Sequence, residues 1–300
     1  MMLGRIGVAI DIGTTTVVVH LVEMKSGARL KTASRLNAQS PYGADITSRI
    51  QYCIENGHEL LTKLIREQIS SMIIEVCETA KENYNDIESI SIAANTVMQH
   101  LVVGYSPNKM GVSPYKTTSL FGQMLPAWEG MPVNKNAMIY YTPSISAFVG
   151  GDITAGILAA GIDVAPEPAL FIDVGTNGEI VLKNKGDYIC CSTAAGPAFE
   201  GAEIDKGMIA EDGAIDHLWL ISNDQYNISV IGGGEPKGLC GSGLLDTLAM
   251  LLDTGAVDET GRLLKDSKYW LTKSDVGEGV YISASDIRKL QLAKAAIAAG

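Results

Sequence analysis

The sequence predicts an α/β chain of two related lobes, each a mixed sheet with flanking helices. Three observations predict it. The phrase Ala9-Ile-Asp-Ile-Gly-Thr14 is matched position for position by Phe171-Ile-Asp-Val-Gly-Thr176, and each copy runs strand, Asp-x-Gly-Thr, strand, turn, strand. Helical periodicity alternates with short apolar runs along most of the 300 residues. The repeat distance is far too long for a solenoid, so the duplication marks two lobes rather than an array. The expected lobes are 1–164 and 165–300.

Residues Arg5–Asp11 form an apolar strand that ends at Asp11-Ile-Gly-Thr-Thr-Thr16, and Val17–Glu23 continues as a second strand. Lys25-Ser-Gly27 is turn chemistry before a third strand, Ala28–Leu36. Gly57–Tyr84 is helical, with Leu61, Ile65, Ile69, Met72, Val76 and Ala80 on one face. A strand at Ile87–Ala93 and a helix at Asn95–Val103 follow. Residues 104–136 have little period and read as a long excursion, a docking surface with Tyr115, Phe121 and Trp128 or a loop packed on its own lobe. Pro143–Gly161 reads as a helix of small residues. Strands are expected at Ala169–Asp173, Glu179–Lys183 and Tyr188–Ser192. A hairpin of Ala214–Ser222 and Tyr226–Ile231 turns at Asn223-Asp224. Two helices close the chain, Gly241–Thr254 and Ser285–Ala299, the second with Ser285 as its N-cap and Asp286 in its first turn.

Composition narrows the function. Apolar residues make up 46% of the chain and charged residues 19%, which is the composition of a folded globule. A net charge of −11 without a run of Lys or Arg argues against nucleic acid or an anionic membrane as the main partner. No apolar stretch approaches the roughly 18 residues that span a bilayer. The apolar run Ile6–Ile12 is broken by Asp11, unlike a signal peptide. A cytoplasmic location is the expectation. The five cysteines, Cys53, Cys77, Cys190, Cys191 and Cys240, include no Cys-x-x-Cys pair, so no iron–sulfur cluster is expected in this chain.

The repeated loops carry the chemistry. A phosphate chain must be met by N–H and O–H donors and by Mg²⁺, because its charge has to be neutralised as water leaves. Gly13 and Gly175 allow the backbone to approach an oxygen closely. Thr14, Thr15, Thr16, Thr176 and Asn177 add hydroxyl or amide donors. Asp11 and Asp173, at strand ends, can hold Mg²⁺ or its water shell. One Asp-x-Gly-Thr alone is ordinary hairpin chemistry; two copies in the same context point to ATP. In Gly238-Leu-Cys-Gly-Ser-Gly-Leu-Leu-Asp246, Gly241, Ser242 and Gly243 fall at a helix N-terminus, which favours anions. The same residues also suit close packing. Asp152, after Gly150-Gly151, either positions the attacking water or interacts with its own helix dipole. Asn95 divides likewise between helix cap and substrate contact.

The order of these segments resembles the phosphate-1, connect-1 and phosphate-2 series of the actin, sugar-kinase and heat-shock-chaperone superfamily, whose actin-like ATPase lobes are ribonuclease H-like. Four longer phrases narrow the resemblance: Ala93-Ala-Asn-Thr-Val-Met-Gln-His100, Ser144–Gly156, Ala195-Gly-Pro-Ala-Phe-Glu-Gly201 and Leu239–Asp246. Together they resemble the C-terminal ATPase domain of the reductive activators of corrinoid proteins, from about residue 6 to the end. The resemblance implies Mg·ATP turnover coupled to uphill reduction of a corrinoid cobalt from +2 to +1. It also implies a corrinoid-protein partner, an electron donor such as a ferredoxin domain or protein, and a homodimer. Two departures accompany it. The ferredoxin-like domain usual before this region is not in the sequence, and the sequence ends before the superfamily's adenosine-binding segment. The chain is then a fragment, or its electrons come from a separate protein.

Three rival readings use the same loops. A small-molecule kinase would need Asp152 or Asp173 as base. A non-catalytic nucleotide switch would assemble partners. An activator of radical dehydratases would bridge a cluster between subunits, for which Cys240 is the one well-placed cysteine.

Overall fold

The structure is a computed structural model that describes residues 6–222, 225–272 and 279–300. Arg5 and the expected turn at Asn223-Asp224 lie outside these residues. The chain divides into two compact units, Met1–Phe171 with Val181–Cys191, and Ile172–Ile180 with Ser192–Gly300.

The first unit is a six-stranded mixed sheet with helices. Its elements are β1 (Ile6–Ile12), β2 (Thr16–Glu23), β3 (Arg29–Leu36), α1 (Ile46–Asn56), α2 (Glu59–Ala80), β4 (Ile87–Ala94), α3 (Thr96–Val103), β5 (Gln123–Pro126), β6 (Met138–Tyr141) and α4 (Gly151–Ala159). The sheet order is β3-β2-β1-β4-β6-β5. β1, β4 and β6 run parallel, while β2, β3 and β5 pair antiparallel with their neighbours. Alternation fixes the faces. Ile6, Val8, Ile10 and Ile12 of β1 are buried, and Asp11 between them is exposed. The apolar face of α2 covers the sheet with Leu61, Ile65, Ile69, Met72, Ile73 and Val76, all fully buried. Each contributes about 1.5–3 kcal/mol, an upper bound relative to an extended chain.

Four features differ from the sequence expectation. Strand β6 and helix α1 are not among the expected elements. The buried residues Ile46, Arg49, Ile50 and Cys53 of α1 follow helical spacing, but a charged residue interrupts the apolar pattern. Asp45 and Ser48 cap it reciprocally. The helix expected over Pro143–Gly161 begins only at Gly151. Ser146 and Val149 form a bridge before it, and extended Gly150 is the N-cap. The excursion 104–136 is also more ordered than its composition suggests. It contains β5, and Phe121 and Trp128 are half-buried against the core. Phe121 meets the rings of His100 and Tyr141 at 5.1 and 5.9 Å, and the Arg66 guanidinium lies 5.6 Å from the Trp128 ring. Of the three aromatic docking candidates, Tyr115 alone is exposed. Buried His100 ties the excursion to α3. Its Nδ1 is 2.7 Å from the Thr96 carbonyl, and its Nε2 accepts from the Thr118 amide at 3.1 Å. Burial lowers its pKa and so favours the neutral ring that this pairing requires.

A further sheet has the order β7-β8-β9, from β7 (Ala169–Val174), β8 (Gly178–Asn184) and β9 (Asp187–Thr193). The second unit adds β10 (Ala214–Ser222), β11 (Gln225–Val230), β12 (Gly238–Leu239), α5 (Gly241–Asp253), β13 (Lys268–Trp270), β14 (Tyr281–Ser283) and α6 (Ala284–Ala299). β10 pairs antiparallel with β11 and parallel with β12, so this sheet too is mixed. Ile215, Leu239, Leu244, Leu251, Ile282 and Ile287 are the centre of its core. Helix α6 is capped by Ser283, not by Ser285. The Ser283 hydroxyl accepts from the Asp286 amide at 3.2 Å, and the Asp286 carboxylate accepts from the Ser283 amide at 2.9 Å. Ser285 lies inside the first turn, where its N–H cannot close such a box. Ser283→Ala should lower stability by about 1–2 kcal/mol, because fully buried Asp286 loses a hydroxyl donor as the helix loses its cap. A urea titration with an unchanged midpoint would show the cap to be idle.

No helix among the described residues is long and apolar enough to cross a membrane.

Candidate functional site

In the first unit, parallel strands bring three segments to one sheet edge. β1, β4 and β6 point the same way, so their C-terminal ends deliver the Asp11–Thr16 loop, Asn95, and the segment from Thr142 to Asp152. Crevices at the carboxyl ends of parallel strands are where ligands bind in open α/β sheets.

The first loop is a tight hairpin. The Gly13 amide donates to the Thr16 carbonyl at 2.9 Å. A Cβ on Gly13 would stand 2.8 Å from that carbonyl oxygen, so this glycine is required by close approach. The loop carbonyls are held from below. Asn37 Nδ2 donates to the Gly13 carbonyl at 2.8 Å, Arg49 Nη2 to that of Thr14, and the Asn37 amide to that of Thr15 at 2.8 Å. In a planar trans peptide the next N–H points opposite to the carbonyl. The Thr14 and Thr15 amides are thereby turned to the other face of the loop, as an anion site needs. Arg49 is fully buried. Its other bonds go to the Gly43 carbonyl at 2.9 Å, Gln39 Oε1 at 3.2 Å and Met98 Sδ at 3.2 Å. Burial pulls its pKa down to about 10, partly offset by Asp45. The arginine therefore remains charged at neutral pH.

Asn95 and Thr14 meet, with Asn95 Nδ2 donating to Thr14 Oγ1 at 3.2 Å. The same Asn95 caps α3 by accepting from the Met98 amide at 3.0 Å. The two readings of Asn95 are thus compatible, since one oxygen caps while the amide nitrogen faces the loop. Gly150 and Gly151 are the contact on the other side. A Cβ on Gly150 would lie 2.4 Å from Asn95 Cα, and one on Gly151 would lie 2.1 Å from Thr142 Oγ1. Asp152 is the second residue of α4, where its Oδ1 accepts from the Ile153 amide at 2.8 Å. Thr15 and Thr16 are partly exposed beside buried Thr14.

In the second unit the second loop meets a short helical turn, Pro197–Glu200. The Gly175 amide donates to the Asn177 carbonyl at 3.0 Å. The Thr176 amide donates to Glu200 Oε1 at 2.7 Å, and the Thr176 hydroxyl lies 3.0 Å from each carboxylate oxygen of Glu200. Asp173 keeps solvent-exposed surface, but desolvation of its carboxyl by the surrounding protein and then the Glu200 charge push its pKa upward. Phe199 joins this turn to α5, because a Cβ on Gly241 would lie 2.0 Å from the Phe199 carbonyl oxygen. Gly243 is equally constrained, at 2.1 Å from the Ile215 carbonyl. The N-cap of α5 is Cys240, whose side chain does not cap. Ser242 Oγ donates instead to the Asp216 carbonyl at 2.7 Å. The close packing read from these glycines is present, and the first turn of α5 has no side-chain cap.

Three site residues escaped the sequence reading. Asn37 follows a strand with no local signal. Arg49 is marked only by its place among Ile46, Ile50 and Cys53 on a helical face. Glu200 lies inside the quoted phrase Ala195–Gly201, but nothing local assigns it to the loop.

Residues 6–165 match the family model described as the RACo middle region, and residues 167–300 match that of the C-terminal domain of RACo, the ASKHA domain. The chain belongs to the RACo family. A structure titled reductive activator for corrinoid, iron-sulfur protein superposes with a TM-score of 0.91 at 38% identity, over 99% of this chain and 50% of that one. The corrinoid activation enzyme RamQ of Eubacterium limosum is 36% identical over 98% of this chain and 53% of its own length. A reductase of Methanosarcina barkeri, named for a Co(II) methylated amine-specific corrinoid protein, is 28% identical over 98% of this chain and 58% of its own. The chain spans about half the length of these relatives. RACo membership gives the α/β, ASKHA-type ATPase fold expected from the repeated loops, and with that fold nucleotide binding.

Proposed function

We propose that this chain is the ATP-binding and hydrolysing part of a reductive activator, which uses ATP to return a corrinoid cobalt from the +2 to the +1 state. The observation that carries the reading is the pair of Asp-x-Gly-Thr loops within a chain matched end to end by the two RACo family models. The relatives named for corrinoid activation or reduction supply the substrate.

Each residue has a role in this reading. Gly13, Thr14, Thr15 and Thr16 present donors to one part of the phosphate chain, and Gly175, Thr176 and Asn177 to another. Gly241, Ser242 and Gly243 offer the first turn of α5. Asp152 orients the attacking water. Asp11 and Asp173 hold Mg²⁺ or its water shell. Asp11 and Asp173, acidic and at strand ends, suit a hard divalent cation, which would neutralise phosphate charge. The reading places the protein in the cytoplasm as a homodimer, served by a ferredoxin-type donor domain or protein.

ATP is needed because the +1 cobalt lies at very low potential. For a one-electron couple about 59 mV is a tenfold change in equilibrium. A nucleotide-linked coupling of a few kcal/mol would therefore shift the reduction decisively.

The test uses the full-length protein. Calorimetry should detect Mg·ATP binding that Asp11→Ala and Asp173→Ala abolish, with turnover falling about 100-fold or more. Anaerobic spectroscopy of a Co(II) corrinoid protein with reductant should then show the +1 absorption only when ATP is present. Equal rates without ATP, or phosphorylation of a small molecule in place of corrinoid reduction, would reject the activator in favour of the kinase.

A further inference from the structure

The second loop already has an anion on it. The Thr176 amide and hydroxyl, the donors that a phosphate oxygen would use, both face the Glu200 carboxylate, at 2.7 Å and 3.0 Å. A carboxylate oxygen and a phosphate oxygen make the same charge-assisted bond to an N–H. They cannot occupy one position, and their like charges repel.

We infer that Glu200 is the resident occupant of the phosphate position on the second loop, and that nucleotide binds there by displacing it. The inference rests on the reading of that loop as a phosphate site.

The displacement is confined to the side chain. The turn that carries Glu200 is locked at both sides. Its Phe199 carbonyl is seated where a Cβ on Gly241 would come within 2.0 Å. Gly201 follows at φ +79°, and its amide closes on the Ala198 carbonyl at 3.1 Å. A Cβ on Gly201 would lie 2.5 Å from the Met208 carbonyl oxygen. The backbone of Glu200 therefore has little room, and rotation about its side-chain bonds is what frees Thr176. Gly175 makes room for the seated carboxylate, since a Cβ there would crowd Glu200 Oε1 at 3.1 Å.

The arrangement sets affinity and selectivity together. A ligand that binds only after Glu200 leaves binds more weakly by the fraction of molecules in which the seat is open. Inorganic phosphate meets this one loop alone and gains little after the exchange. A triphosphate with Mg²⁺ gains contacts elsewhere that offset it, and its cation attracts the displaced carboxylate. Glu200 so acts as a specificity-determining residue that keeps the loop closed to small anions. Its like charge also bears on Asp173, the neighbouring carboxylate of this loop.

The experiment is calorimetry on the full-length protein with Mg·ATP and with inorganic phosphate. Two variants are used, Glu200→Ala, which empties the seat, and Glu200→Gln, which keeps its shape without the charge. The Ala variant should bind Mg·ATP about tenfold tighter and acquire measurable phosphate binding, and the Gln variant should fall between it and wild type. Amide exchange at Thr176 should be faster in the ligand-free Ala variant than in wild type. Affinity that is unchanged or lower in both variants at wild-type melting temperature overturns the inference and makes Glu200 a brace or a ligand of the nucleotide. Binding by wild type that survives Asp173→Ala rejects the loop as the phosphate site, and the inference with it. Binding lost in Asp173→Ala but not tightened by Glu200→Ala rejects the displacement alone.

Discussion

Arg49→Ala is expected to destabilise the first unit by about 3–5 kcal/mol, the range for breaking a buried charged network. The guanidinium bonds to the buried Thr14 carbonyl and Gln39 Oε1 and to the half-buried Gly43 carbonyl. Removing it leaves these acceptors unpaired, each at a cost of about 1–3 kcal/mol, and opens a cavity where the side chain lay. Part is returned because the folded state no longer desolvates a charge, the cause of the lowered Arg49 pKa. Function should suffer beyond stability. The Thr14 carbonyl loses its anchor, so the following N–H is no longer oriented and Mg·ATP affinity should fall even well below the melting point. Arg49→Lys is the discriminating partner. One ammonium can restore the charge but not the three-way fork, so partial rescue of stability with little rescue of affinity is the expected pattern. An unfolding free energy from urea titration within about 1 kcal/mol of wild type for Arg49→Ala would show that water replaces the guanidinium.

Gly241→Ala should be a strongly damaging small substitution in the second unit. Its Cβ would arrive 2.0 Å from the Phe199 carbonyl oxygen, well inside van der Waals contact and against backbone rather than a flexible side chain. Alanine is otherwise favoured over glycine in a helix by about 0.8–1 kcal/mol, so the sign of the effect isolates the clash. Either α5 or the Pro197–Glu200 turn must shift, at a cost of about 1–3 kcal/mol or more for overpacking. The first turn of α5 also carries Gly241, Ser242 and Gly243, assigned above to the phosphate chain. Loss of nucleotide affinity should therefore accompany loss of stability as that turn shifts, and Gly255→Ala is the control. Gly255 has φ +69° but nothing within 4 Å of its would-be Cβ, so the control should cost stability alone. A Gly241→Ala protein with higher melting temperature would mean that helix propensity outweighs the contact.

The sequence by itself determined the local grammar of this protein. Strand alternation put Asp11 on the face opposite Ile10 and Ile12, helical spacing drew the buried face of α2, and the repeated Asp-x-Gly-Thr located both loops. These are short-range properties of backbone periodicity and turn chemistry, so they survive without tertiary context. Segments whose conformation depends on distant partners were less legible. The small residues of Ser144–Gly151 allow a closely packed helix, but the chain turns between Ser146 and Val149 and enters α4 only after extended Gly150, because Gly150 and Gly151 press against Asn95 and Thr142. Ser and Gly are weak helix formers, so propensity does not hold a helix there against such packing.

Tertiary structure alone decided what stands behind the loops. Asn37 and Arg49 reach Gly13 and Thr14 across 24 and 35 residues, and Glu200 reaches Thr176 across 24. No spacing rule links such positions, because the antiparallel pairing of β2 with β3, the seating of α1 against the loop and the turn at Pro197–Glu200 bring them together. A buried acceptor must be paired, but the chain can supply the donor from any distance. The residues that would touch phosphate were therefore readable as motifs, whereas those that aim or occupy the phosphate position became visible only in the fold.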